Sequence, residues 1–150
     1  ESSGRLKLIG HAANTGNDLI QSDGQAQEQV MRRALDIAGI APESIAAVKT
    51  HGIGTADSDV AELAALENIF GILPPLMAFK PQIGHTLGAT AALETVLLLS
   101  ALKQGESNDY QGRKIRFSEC ATSQKGGFFC LANQFGFGGS NTSLVWQWQP

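Results

Sequence analysis

The sequence predicts an α/β fold, with a mixed, mostly parallel sheet flanked by helices. Three observations carry that expectation. Short apolar runs alternate with stretches whose apolar residues recur at helical spacing. Two of the runs end beside a histidine in a glycine-rich setting, His51 and His85. Near the C-terminus two further apolar runs, Gly127 to Asn133 and Thr142 to Trp148, flank the turn Phe135-Gly136-Phe137-Gly138-Gly139-Ser140-Asn141, as an antiparallel pair would. The order is β-α-β-α-β-α-β-β. Right-handed crossovers then make the earlier strands parallel and leave the loops at their C-terminal ends free to carry function.

Each element has its own signal. Leu6 to Ala13 reads as a buried strand, and a polar loop follows through Gly24. Val30, Ala34, Ile37 and Ala38 mark a helix over Gln25 to Ala38, which Gly39 stops. Ile45 to Thr50 is a strand that delivers His51. Asp57 and Asp59 open a second helix, where carboxylates suit the positive end of the helix dipole. It runs through Leu63, Leu66 and Phe70 to Gly71, with Pro74-Pro75 beyond. Leu76 to Lys80 reads as a third strand leading to Gly84-His85. The helix from about Gly88 to Gln104 is apolar on most faces, so burial on more than one side is expected. Residues 105 to 126 are polar and give no clear element.

Composition narrows the class. A chain of 150 residues, 43% hydrophobic, can bury one ordinary core, so residues 1–150 are read as one domain. A net charge of −3 with scattered Lys and Arg gives no reason to expect nucleic acid. Leu93 to Leu102 is too short for a membrane span, and residues 1–5 carry no apolar signal segment. Cys120 and Cys130 are too few for a disulfide framework and lack metal-type spacing, so a reducing, cytoplasmic setting without a metal is expected.

Imidazole can donate a hydrogen bond or move a proton near neutral pH, and glycine lets backbone approach a substrate. His51 and His85 share a strand-end position and a glycine neighbour, which favours function, whereas His11 reads as structural. Glu62 fits either helix-dipole compensation or a site role. Cys130 lies in the apolar run Phe128-Phe129-Cys130-Leu131, where a thiol behaves as a small hydrophobe. A catalytic thiolate needs a helix N-terminus or a neighbouring cation to lower its pKa, and Cys120 lies in the stretch that gives no clear element.

In order and spacing, three segments resemble the C-terminal half of the β-ketoacyl synthases, condensing enzymes of the thiolase superfamily. They are Thr50-His51-Gly52-Ile53-Gly54-Thr55, Lys80 to His85 followed by Gly88-Ala89, and Asn133 to Asn141, and the likeness extends from about Leu6 to Trp146. The resemblance implies a thiolase-like half whose partner, the N-terminal half, is absent from these residues and supplies a nucleophilic cysteine. It implies decarboxylative Claisen condensation of an acyl thioester with a malonyl unit, in fatty-acid or polyketide synthesis. His51 and His85 then resemble the two catalytic histidines, and Lys80 the lysine before the second. Glu62 fits the helix carboxylate beside them, and if Lys80 is buried an ion pair with Glu62 could satisfy both charges. Phe137 resembles an aromatic gate, while Thr55, Ile53, Gly136 and Gly138 fall where substrate and pantetheine bind.

No cofactor is implied as bound; phosphopantetheine would arrive on an acyl carrier protein, and the intact enzyme would be a homodimer. This chain alone is expected to be inactive. The alternative is a silent partner domain, either chain-length-factor-like or acyl/pantetheine-binding, although retention of both histidines and the lysine argues against the first. Two departures stand out. Ile53 occupies the place of a threonine, and Pro81-Gln82 that of Ser-Asn.

Overall fold

The computed structural model describes residues 5–16, 22–109, 111–117 and 127–149. Alternation along the strands dictates how it is built. In the strand β1 (Arg5–Thr15), and then in β2 (Ile45–Lys49), β3 (Leu76–Met77), β6 (Phe128–Phe135) and β7 (Ser140–Gln149), successive side chains face opposite sides of one sheet. Val48, Leu131, Phe135 and Val145 point to one face. There they meet α1 (Gly24–Ala38) through Val30, Met31, Ala34 and Leu35, and α2 (Ala56–Phe70) through Leu66 and Ile69. Ala47, Cys130, Ala132 and Trp148 point to the other, against Leu98, Ala101 and Leu102 of α4 (Thr90–Gln104). The sheet therefore separates two apolar cores.

The strand order is β1-β7-β6-β2-β3. β7 is antiparallel to both β1 and β6, whereas β2 is parallel to β6 and to β3. Four strands thus point one way and β7 alone runs against them, as the glycine-rich turn before it predicts. The hairpin register runs from Phe128 opposite Trp148 to Phe135 opposite Asn141. Asp23 caps α1 by accepting the Ala26 N–H at 3.0 Å, and Gly39 closes it in a left-handed conformation. A Cβ on Gly10 would collide with the Ala34 carbonyl oxygen, so glycine is what lets α1 lie directly on β1.

Three expectations need correction. The run Leu76 to Lys80 is a strand only at Leu76–Met77; Lys80 opens a single helical turn, α3 (Lys80–Ile83), and Pro81 sits in its first turn, where a missing N–H costs nothing. The stretch after Gly105 is not featureless, since β4 (Glu106–Asn108) and β5 (Lys114–Arg116) form a small antiparallel pair. Ile115 of β5, and Phe117 just past it, close the second core. Cys120 lies outside the described residues. Finally, α4 is buried on one face only: Leu98 and Leu102 are enclosed, but Val96 is 62% and Leu93 38% exposed. No helix among the described residues is long and apolar enough to cross a membrane.

Candidate active site

The C-terminal ends of β2 and β6 and the start of α4 converge on one place. His51 stands two residues past the end of β2, after Thr50. The Thr50 hydroxyl donates to the Met77 carbonyl at 3.0 Å, tying the strand end to β3. The next turn needs glycine: Gly52 has φ +50°, and a Cβ there would stand 2.9 Å from Thr50 Oγ1. Glu62, buried on α2, accepts the backbone N–H groups of His51 (2.9 Å) and Gly52 (3.1 Å) and the Asn133 side-chain amide (3.0 Å). The Asn133 amide oxygen in turn accepts the Ser143 hydroxyl at 2.8 Å. Burial pushes the Glu62 carboxyl above its ordinary value, while Asn133, the two backbone donors and Lys49 pull the other way. Glu62 thus anchors the His51 turn.

The expected Lys80–Glu62 ion pair is not formed. Lys80 pairs instead with Glu94 Oε1 at 2.9 Å and donates to the His51 carbonyl. Glu94 Oε2 also holds Lys49 and accepts from Gln134 Nε2 at 2.7 Å. The reason is the sheet's alternation. Asn133 on β6 faces α2 and Glu62, whereas its neighbour Gln134 faces α4 and Glu94. Burial alone would raise the Glu94 carboxyl, but Lys49, Lys80 and Gln134 bring it below the ordinary value. Glu94, Lys49, Asn133 and Gln134 went unrecognised as site residues in the sequence. The signal was present: Glu94 is the lone carboxylate of an apolar helix, and Lys49 ends a strand buried throughout.

The two histidines present the same nitrogen. His51 is 5% exposed, and its Nδ1 accepts the Phe135 backbone N–H at 3.3 Å. His85 is exposed, and its Nδ1 accepts the Leu87 N–H at 3.0 Å with Thr90 Oγ1 also 3.0 Å away. A backbone N–H can only donate, so each Nδ1 carries a lone pair and each neutral ring has its proton on Nε2. The rings lie 6.2 Å apart at 82°. Burial, then Lys80 and Lys49, lower the His51 pKa to about 4, so this ring is neutral at pH 7. Leu87 reaches His85 from a left-handed backbone, φ +51°, unusual for a non-glycine residue.

A cleft of about 250 Å³ holds His51, His85, Thr55, Ile53, Phe135, Gly136 and Phe137 in its wall. A larger one beside it, about 640 Å³, shares Ile53 and His85 and adds Lys80, Pro81 and Glu62. Phe137 is 82% exposed at the rim. Thr55 precedes α2 with its hydroxyl making no capping bond. Gly138, in the turn at φ +80°, lies outside both linings. Cys130 is fully buried on β6, away from the clefts.

The profile of the β-ketoacyl synthase C-terminal domain matches residues 7–109. The chain belongs to the β-ketoacyl synthase family, as this domain. It is 30% identical to the 3-oxoacyl-(acyl-carrier-protein) synthase 1 of Haemophilus influenzae over 94% of this chain and 36% of that protein. A β-ketoacyl synthase structure from Burkholderia phymatum superposes with a TM-score of 0.80 at 30% identity, covering 95% of this chain and 37% of that one. A ketosynthase complex bound to a hexaketide, containing a type II polyketide acyl carrier protein, shares the fold (TM-score 0.82, 22% identity; 95% of this chain, 38% of that one). The chain therefore spans little more than a third of its relatives.

Proposed function

We propose that this domain supplies the histidine and lysine half of a condensing site. In it an acyl thioester on a cysteine of another half is joined to a malonyl thioester. The malonyl group loses carbon dioxide, and the electron pair of the broken C–C bond becomes an enolate with its charge on the thioester oxygen. The enolate carbon then attacks the acyl thioester, and the cysteine thiolate leaves. The observation that carries this reading is the pair of Nε2–H groups with Nδ1 occupied by backbone donors. Such donors are suited to a developing oxyanion, and removing one typically costs about 10²–10³ in rate. The low basicity of His51 keeps it a donor without making it an acid. Lys80 and Lys49 both lie near enough to lower the basicity of His51.

In this reading Phe137 gates the acyl pocket, and Thr55, Ile53, Gly136 and Gly138 belong to the path of a phosphopantetheine arm. Acyl carrier protein, a cysteine-bearing N-terminal half, a homodimeric assembly and a cytoplasmic setting are parts of the same proposal. The carrier-bound ketosynthase that shares this fold supports the carrier as partner. The exposed apolar residues beside the cleft, Leu87 and Phe137, support a covering partner. The test is malonyl decarboxylation by the protein with its cysteine-bearing half, against His51→Ala and His85→Ala. Each is expected to lower the rate at least a hundredfold, with Ile53→Thr changing it little; equal effects from all three would make the histidines structural. The 150-residue chain alone is expected to take no acyl group. Acylation of Cys120 or Cys130 would overturn that.

A further inference from the structure

Buried ions are costly, and a protein that encloses three at one point has placed them there at the expense of an apolar core. Lys49, Lys80 and Glu94 are 2%, 6% and 0% exposed. Lys80 belongs to the site already described, and Glu94 is its partner. Lys49 is the surplus group. It closes a strand whose other four residues, Ile45 to Val48, are apolar and buried, at a position where one more apolar side chain would serve the core.

We propose that Lys49 is a second, positioning lysine of this site: it shares the Glu94 carboxylate with Lys80 and so fixes Lys80 against the His51 carbonyl. The contacts form one continuous chain. Lys49 Nζ donates to the Asn133 carbonyl of β6 at 2.7 Å and pairs with Glu94 Oε2. Glu94 Oε1 holds Lys80 at 2.9 Å, and Lys80 donates to His51. Each carboxylate oxygen has its own ammonium, so the two lysines are coupled through one side chain. Without Lys49, Glu94 Oε2 would retain only Gln134, and the carboxylate could turn both oxygens toward Lys80 and draw it off His51.

Electrostatics point the same way. The groups facing Lys49 are Glu94 from α4, Lys80 from α3, Glu62 from α2, and His51 beyond its own strand. Two ammonium groups share one carboxylate across this cluster, and both lysines act to lower the basicity of His51. Burial and Lys80 in turn bring Lys49 down to about 8, against the pull of Glu94. Lys49 therefore acts on the reacting end of the site through Glu94 and Lys80, without lining either cleft.

This inference rests on the reading of His51 and Lys80 as site residues, but its test needs neither substrate nor carrier protein, so failure of the condensation reading leaves it unaffected. His51 is followed by NMR titration of its ring in the 150-residue chain, as wild type, Lys49→Met and Lys49→Arg. Lys49→Met is expected to raise the His51 midpoint by on the order of one pH unit, as loss of a nearby like charge does. Lys49→Arg, which keeps the charge, is expected to restore the low midpoint; a lysine that merely fills space would not discriminate between the two. An unchanged midpoint in folded Lys49→Met overturns the proposal. Should that variant fail to fold, wild type labelled at lysine Cε decides. One lysine is expected to titrate near pH 8 and to move the His51 and Lys80 signals in the same step. A step near pH 8 that leaves both still would overturn the proposal.

Discussion

His51 is a neutral donor because of what surrounds its ring, and two expected outcomes follow at the scale of that residue. Phe135 and Leu87 each point a backbone N–H at an imidazole Nδ1, which fixes the tautomer without a carboxylate. Nitrogen-15 spectra at pH 7 are expected to show both His51 and His85 protonated on Nε2; an Nδ1–H tautomer at either would remove the paired donors. The second outcome concerns acid. The His51 pKa is about 4 in the folded chain, against about 6.5 when unfolded. Between those values the unfolded state binds a proton that the folded state refuses, so stability rises with pH across the window. It is fully present above pH 6.5 and is lost as pH falls toward 4. The span corresponds to about 3 kcal/mol. Urea denaturation between pH 4 and 7 is expected to lose most of that dependence in His51→Gln, and an unaltered dependence would assign it to other groups.

At the scale of elements, period and punctuation were legible and partners were not. The two apolar runs, Gly127 to Asn133 and Thr142 to Trp148, and the glycine-rich turn between them were enough to place the hairpin. Gly39, Gly71 and the acidic start of α2 were enough to bound two helices. His51, His85 and Lys80 could be found because each stands in a short glycine- or proline-marked segment. Glu94 could not be paired in advance, because its partners lie 45 and 14 residues away on β2 and α3. Only the sheet's two faces decide that Glu62 meets the backbone of the His51 turn while Glu94 meets the lysines. The short strand at Leu76–Met77 was overextended in sequence for a related reason: Pro81 turns the chain into α3 after only two paired residues. The ion triad sets the stability of this junction of elements. Glu94→Ala would leave two buried ammonium groups unpaired, a loss of about 3–5 kcal/mol by the usual cost of breaking a buried pair. Chemical denaturation at pH 7 measures it. A loss below about 1 kcal/mol, the scale of an exposed pair, would mean that both lysines reach water in solution.

The whole molecule carries a face that its own core does not use. On α4, Leu98 and Leu102 enter the second core, whereas Leu93 and Val96, three residues apart and so neighbours on the helix surface, stand open to solvent. Near the histidines Leu87 and Phe137 are 72% and 82% exposed. Helix α4 was expected from its composition to be enclosed on several sides, and the described residues satisfy only part of that. A second half packed over α4 would satisfy the rest. In the Haemophilus relative, all but 36% of the length lies outside the part this chain matches, and the proposed cysteine-bearing half would take that place. Leu93→Gln combined with Val96→Gln separates folding from assembly. In the 150-residue chain the pair should alter stability by no more than about 0.5 kcal/mol per site, the usual range for exposed positions. Binding to the proposed cysteine-bearing half should weaken, because burying two partly exposed aliphatic side chains is worth about 2 kcal/mol in all, or about thirtyfold in affinity. Titration calorimetry between the two separately purified parts reads that number directly. Unchanged affinity would move the interface off α4, to the rim that Leu87 and Phe137 form beside the histidines.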